Sequence, residues 1–428
     1  MSNKVKLEYN GTSLELDTVV GSENEVGIDI TQLRAKTGMI TLDPGYGNTG
    51  SCSSDITFIN GEKGILRYRG YAIEELAEKS TFMETAFLVL YGYLPKKEEL
   101  DAFEESIRDE SSLHYGMRSH FEGFPDHAPP MAVLSAMLSV LSCYNTELLT
   151  TATEGPGFTV PSAKIISKVR AMAAWTYRTS VGKPFMPPRK DLSYAGNYLH
   201  MMFSEQFNMY EPLPEVEKAL DLFFILHADH EQNCSTSTVR MVGSSRASLF
   251  SSVSAGVSAL WGPLHGGANS EVIRMLKGIH EDGIKPSEFV KKAKDKNSNV
   301  KLMGFGHRVY KSFDPRAKIL KEQVDNVLKA LKINDPLLDI AYELEDMARS
   351  DDYFVERNLY PNVDFYSGIL LRAIGIPVDM FTVLFAIGRM PGWIANWREM
   401  HVQNLRISRP RQVYTGENLR SYISLDER

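Results

Sequence analysis

Three histidines and one aspartate sit in local contexts that suit chemistry. In "LMGFGHRVYKSFDPR" (302–316), His307 follows two glycines and precedes Arg308, Lys311 and Arg316. The run is neither G-x-G-x-x-G nor a G-K-[ST] phosphate loop, and no alternating β-branched strand precedes it. Nucleotide binding of those kinds is therefore disfavoured. A guanidinium fork pairs bidentately with a carboxylate. A histidine and arginines in one loop suit a ligand with carboxylates and a carbonyl between them.

In "WGPLHGGANSE" (261–271), Pro263, Gly266 and Gly267 flank His265, and a helix is expected to start near Asn269. The positive end of a helix dipole disfavours imidazolium. A neutral imidazole can donate a hydrogen bond to a carbonyl oxygen as it becomes an enol oxygen. The alternative is a turn histidine that caps its own loop. In "LYPNVDFYSGILLRAIG" (359–375), Asp364 stands at the start of an apolar helix. A carboxylate there is commonly an N-cap; its alternative is a general base that takes a proton from carbon beside a carbonyl.

His227 and His230 in "HADHEQN" are three residues apart, close to one face if the preceding helix continues. H-x-x-H with no third ligand in view is a weak metal signal. Hydrogen bonding to an anionic ligand is the better reading. Arg389 lies four residues after Phe385 in an apolar run, and "RISRPRQVY" supplies Arg406, Arg409 and Arg411. Arginines on apolar stretches need anionic partners. The lone histidines His114, His120, His127, His200, His280 and His401 read as structural or solvated.

The elements that must position these groups are mostly helices. Residues 1–68 read as strands and turns, with Asn-Gly hairpin signals in "VKLEYNGTSLELD" and "DITFINGEKGILRYRG". From residue 71 onward, apolar residues recur at three- and four-residue spacing. "TATEGPGFTVP" (151–161) and "KPFMPPRKD" (183–191) read as loops, and "LPEVEKALDLFFILHADH" as an amphipathic helix. "RASLFSSVSAGVSALW" suits a closely packed helix, while the helices of 286–348 are more charged and suggest a smaller, more exposed lobe. The expectation is a mainly α, two-domain helical fold with a small β-rich N-terminal segment. Its parts are a segment 1–68, a large domain 69–272 with 379–428, and a small domain 273–378.

A net charge of −7 gives no basic footprint for nucleic acid. Small anionic substrates then require cations gathered in one cleft. The three cysteines, Cys52, Cys143 and Cys234, are widely spaced, which argues against a disulfide framework and a zinc site and fits a reducing compartment. The start of the chain is too polar and acidic for a signal or transit peptide, and "MAVLSAMLSVLSCY" is too short to span a bilayer. A cytoplasmic location without membrane contact is expected.

"HADHEQN", "WGPLHGGAN", "MGFGHRVYK..DPR", "LYPNVDFYSG" and "RPRQ.Y" occur in this order and at these separations in citrate synthases. From "TLDPGYG" (41–47) to the end, the chain resembles that family, in particular its bacterial branch with a β-rich N-terminal extension. The resemblance implies condensation of acetyl-CoA with oxaloacetate, followed by hydrolysis of citryl-CoA, without a cofactor or metal. It implies that Asp364 abstracts the methyl proton, His265 hydrogen-bonds the thioester oxygen and His307 serves the oxaloacetate carbonyl. His230, Arg316 and Arg389 would hold oxaloacetate carboxylates, Arg409 would reach in from a neighbouring subunit, and Phe385 would pack beside the reacting carbons. Arg308 and Lys311 are the candidate cations for CoA. A homo-oligomer follows, either a dimer or a hexamer built from dimers.

Some members of that branch bind NADH as an inhibitor through an Arg-His-Thr-Met run, where this chain reads "DESS" (109–112), with Ala163 and Phe207 replacing an arginine and a cysteine. Fewer cations should weaken pyrophosphate binding, so weak or absent NADH inhibition is expected. The rival readings are a 2-methylcitrate synthase acting on propionyl-CoA and a non-catalytic binding protein on the same fold. A histidine-metal hydrolase is a poor third.

Overall fold

The computed structural model describes residues 4–295, 297–307 and 309–428. The chain divides into two compact units, 1–53 with 408–428 and 54–407.

In the first unit, strands β1 (Lys4–Tyr9), β2 (Thr12–Val20) and β3 (Val26–Ile28) form an antiparallel sheet in that order. Tyr9 pairs with Thr12 across Asn10 and Gly11, both at positive φ. This is the turn geometry that Asn-Gly predicts. Leu14 and Leu16 of β2 meet Leu33 of the short helix α1 (Leu33–Thr37) in a small core. Residues 408–428 are exposed throughout.

The second unit opens with β4 (Thr57–Asn60), β5 (Ile65–Tyr68) and β6 (Tyr71–Ala72), paired antiparallel, with Asn60 opposite Ile65. Ten helices follow: α2 (Ile73–Lys79), α3 (Phe82–Tyr91), α4 (Lys97–Asp109), α5 (Arg118–Glu122), α6 (Pro130–Cys143), α7 (Pro156–Ser180), α8 (Tyr194–Phe203), α9 (Pro214–His227), α10 (Cys234–Gly243) and α11 (Leu249–Leu260). Among the described residues seven more α-helices follow: α12 (Ala268–Glu281), α13 (Pro286–Lys294), α14 (Pro315–Leu331), α15 (Pro336–Ser350), α16 (Asp352–Val355), α17 (Val363–Ile374) and α18 (Phe381–Val402). The mainly helical expectation holds.

Helix α18 is the hub, packed against α3, α7, α9, α10 and α11. The stretch Val378–Val402 is long and apolar enough to cross a membrane, yet 83% of its apolar window is buried inside the fold. It is a core helix. Gly392 lets the end of α9 lie directly on it, because a Cβ there would meet Asp229 Oδ1 at 2.5 Å. Helices α12 to α15 and α17 pack mainly on one another, and α14 also touches α2 and α9.

Two local expectations fail. Residues 156–161 are not loop but the first turns of α7, with Pro156 at the favoured first position and Pro161 inside. The carbonyl that Pro161 cannot pair with, Gly157 O, instead accepts the Ala152 N–H at 3.2 Å. Helix α9 stops at His227, so His230 lies beyond its end and the two histidines do not share a helix face.

Candidate active site

His265 ends the turn that leads into α12, whose first helical residue is Ala268. Its Nε2 accepts the backbone N–H of Ser235 at 3.2 Å and lies 2.9 Å from Ser235 Oγ. A backbone N–H can only donate, so Nε2 holds the lone pair and Nδ1 carries the proton. Ser235 lies in the first turn of α10, so the positive helix end that faces the ring belongs to α10. Burial, and then the Arg389 guanidinium, push the imidazole down to about 4. It is neutral across the physiological range.

His307 has the opposite tautomer. Its Nδ1 accepts the N–H groups of Val309 at 3.0 Å and Tyr310 at 3.2 Å, which leaves the proton on Nε2. Burial, reinforced by Arg316, lowers it to about 4. The loop is held by Gly306 N–H to Tyr360 O at 2.8 Å and Asn362 N–H to Gly304 O at 2.9 Å. Gly304 and Gly306 are both at positive φ, and a Cβ on either would strike a neighbour at 2.7 Å. The His230 and His307 rings are 5.6 Å apart, and Tyr310 Oη sits 3.2 Å from His230 Nε2. Burial, with Arg316 next, drives His230 well below its ordinary value.

Asp364 lies in the first turn of α17, but it is not the cap. Asn362 Oδ1 accepts the N–H groups of Asp364 at 2.9 Å and Phe365 at 3.3 Å. The carboxylate of Asp364 is thereby released from capping. Burial raises it to about 6, even though Arg316 and Arg389 both pull it down. A carboxylate near 6 is poised to accept a proton at neutral pH.

The two arginines are deeply buried. Arg389 donates from Nε to His227 O at 2.6 Å, and its guanidinium lies 4.8 Å from the Phe385 ring centre. Burial lowers it to about 10. The Phe385 ring in turn meets His227 edge-on at 4.6 Å. Arg316 grips Asp314 through Nε at 3.0 Å and Nη2 at 2.9 Å. One guanidinium edge is therefore committed inside the protein, and a ligand carboxylate must use the other.

His227 donates Nδ1–H to Phe223 O at 2.7 Å, and its Nε2 is buried without a partner among the described residues. It is a core histidine stacked on Phe223. Among the described residues, no three His, Cys, Asp or Glu side chains gather as a metal would need.

The second unit thus gathers His230, His307, Tyr310 and Arg316, with Arg316 and Arg389 both acting on Asp364 and Arg389 also on His265. Lys311 is exposed beside His307 and lowers it slightly. Arg308 lies outside the described residues. Arg409 belongs to the other unit, where it is exposed.

Sequence reasoning missed Ser235, Asp314, Tyr310 and Asn362. Asp-Pro-Arg was the available signal for Asp314, since an N-cap aspartate before a first-turn proline is a helix start. Nothing local ties Ser235 to a histidine thirty residues away.

The arrangement can hold a dicarboxylate on buried guanidinium groups, polarise two carbonyl oxygens with neutral imidazole N–H groups, and remove a proton from carbon. The family model "Citrate synthase, C-terminal domain" matches residues 45–411. "Citrate synthase 1" of Mycobacterium tuberculosis is 52% identical over 423 residues, covering 99% of this chain and 98% of that protein. The citrate synthase of Corynebacterium glutamicum is 48% identical, covering 100% and 98%. The structure of the Pyrobaculum aerophilum citrate synthase has a TM-score of 0.83 at 40% identity, covering 92% of this chain and 98% of that one. That of the Thermoplasma acidophilum enzyme, a ternary complex with carboxymethyl coenzyme A and oxaloacetate, has a TM-score of 0.81 at 30% identity, covering 91% and 100%. With site chemistry, sequence and fold in agreement, the chain belongs to the citrate synthase family and is an acyltransferase with citrate synthase function.

Proposed function

We propose that Asp364, His265 and His307 carry the condensation of acetyl-CoA with oxaloacetate in this chain. Asp364 takes a proton from the thioester methyl group. The electron pair moves to the thioester oxygen, which accepts the Nδ1–H of His265. The enol carbon attacks the oxaloacetate carbonyl carbon while the carbonyl oxygen accepts a hydrogen bond from His307 Nε2–H. One proton ends on that oxygen as the citryl-CoA hydroxyl, matched by the proton that Asp364 took from the methyl group, so that both imidazoles finish neutral. Water then cleaves citryl-CoA to citrate and free CoA. No cofactor enters.

His230, Arg316 and Arg389 bind the oxaloacetate carboxylates, with Phe385 beside the reacting carbons. Arg409 of a second copy completes the site in a homodimer or a hexamer of dimers, and Lys311 and Arg308 serve CoA. A large lobe of 69–272 with 379–428 and a small lobe of 273–378 close over oxaloacetate, excluding water before acetyl-CoA is committed. A cytoplasmic location and membership of the bacterial branch with a β-rich extension complete the reading.

The observation that carries this is the uncapped carboxylate of Asp364: Asn362 takes the helix N–H groups, and burial holds the acid near 6. Release of CoA thiol from acetyl-CoA, with and without oxaloacetate, tests it in wild type and Asp364→Ala. Oxaloacetate-dependent release that collapses in the variant is expected. Release without oxaloacetate would mean a thioesterase. Faster turnover of propionyl-CoA would mean a 2-methylcitrate synthase, and no release from either would favour a binding protein.

A further inference from the structure

The β4–β5 hairpin lies outside the proposed catalytic and oxaloacetate-binding set, yet it touches both histidine segments of the site. At one end, the Ile59 N–H donates to Glu231 Oε1 at 2.7 Å, and Tyr68 Oη donates to Asp229 O at 3.0 Å. Those acceptors flank His230 in sequence. At the other end, Gly61 O accepts the N–H groups of Lys311 at 2.9 Å and Ser312 at 3.3 Å, just beyond His307. The hairpin tip also lies flush on that loop. A Cβ on Gly61 would collide with the Val309 carbonyl oxygen, and one on Gly64 would come within 2.6 Å of Phe313 O. Val309 supplies one of the two N–H groups that fix the His307 tautomer.

We propose that the hairpin is a positioning clamp, with Gly61 as its contact residue, that sets the His307 ring against His230 at the oxaloacetate carbonyl. The proposal rests on the reading of His230 and His307 as oxaloacetate ligands. In this arrangement of the lobes, a two-stranded ribbon hydrogen-bonded to both segments sets their separation in a way that a free 302–316 loop could not. Displacing a reacting group by about 1 Å can cost on the order of a hundredfold in rate, so a clamp at this place controls turnover without touching substrate.

Gly61 is the better probe because its backbone suits any residue, whereas Gly64, at φ +65, would add strain of its own. The experiment compares full-length Gly61→Ala, Glu231→Ala, Glu231→Gln, His307→Ala and the control Gly278→Ala, whose added Cβ meets nothing within 4 Å. The readouts are kcat, KM for each substrate and thermal midpoint.

Gly61→Ala should lose about ten- to a hundredfold in kcat and raise KM for oxaloacetate, in the folded protein at a temperature well below its midpoint. Glu231→Ala should fall the same way, and Glu231→Gln should restore it, since its carbonyl still accepts from Ile59. If Gly61→Ala does not fold, the Glu231 pair decides. Wild-type kcat and KM in the hairpin variants, or a lower midpoint alone, would overturn the clamp while a dead His307→Ala left the underlying reading intact. Full activity in His307→Ala would overturn that reading and the clamp with it.

Discussion

The Ser235 backbone N–H donates to His265 Nε2, so an element thirty residues away decides which nitrogen of the ring carries the proton. Burial and the Arg389 guanidinium keep the imidazole neutral, and that bond aims Nδ1–H as the sole ring donor. Removal of the donor should therefore slow chemistry more than binding. His265→Ala is expected to lower kcat by about 10²–10³ with little change in oxaloacetate affinity, read by thiol release and calorimetry. A pure affinity loss would assign the ring to ground-state binding.

The acid limb of kcat/KM should report Asp364. Its carboxyl is raised to about 6, so the active, ionised form is lost as pH falls through that value. His265 and His307, both held near 4, should add no limb between pH 5 and 8. Asp364→Asn should remove the limb and about 10²–10⁴ of the rate. A limb near 6 that survives in the variant would transfer the assignment to another group.

Asp314 is only 2% exposed and carries both the Arg316 fork and the Val363 N–H, the latter at 3.1 Å. Asp314→Ala leaves a buried guanidinium unpaired, which costs about 3–5 kcal/mol. Urea unfolding should show that loss, and a stability within 1 kcal/mol of wild type would mean that Arg316 finds another partner.

Asp221 of α9 accepts the Phe82 N–H at 2.9 Å at the start of α3, and burial raises its carboxyl to about 7. A raised acid stabilises the fold fully below its ordinary value of 3.8, and that contribution is lost as pH rises toward 7. Asp221→Asn keeps the acceptor without the charge. Its gain in midpoint over wild type should therefore be larger at pH 8 than at pH 5; an equal gain at both would show that Asp221 does not titrate in this range.

Weak NADH inhibition is expected as well. Lys168 is already tied to Glu110 O and Ser112 O, both at 2.7 Å, and Ala163 is buried. A pyrophosphate would have to displace these bonds. Inhibition by micromolar NADH that persists in added salt would refute the expectation.

Elements and residue types with local causes are legible in the sequence. Asn-Gly at 10–11 dictates a hairpin because both positions adopt positive φ there. The apolar spacing after residue 71 dictates helices. The motifs around His265, His307 and Asp364 mark the family. Tertiary structure decided what each of those groups can do. The dipole that matters to His265 comes from α10 and not from the α12 start that its own motif indicates. Asp364 escapes capping because Asn362 reaches the same N–H groups first. Arg316 offers only part of its fork because Asp314 holds the rest. The apolar run of α18 is a hub helix because the helices packed around it bury it. Proton location, charge and access depend on fields and contacts between groups far apart in the chain, and only the folded arrangement brings them within range.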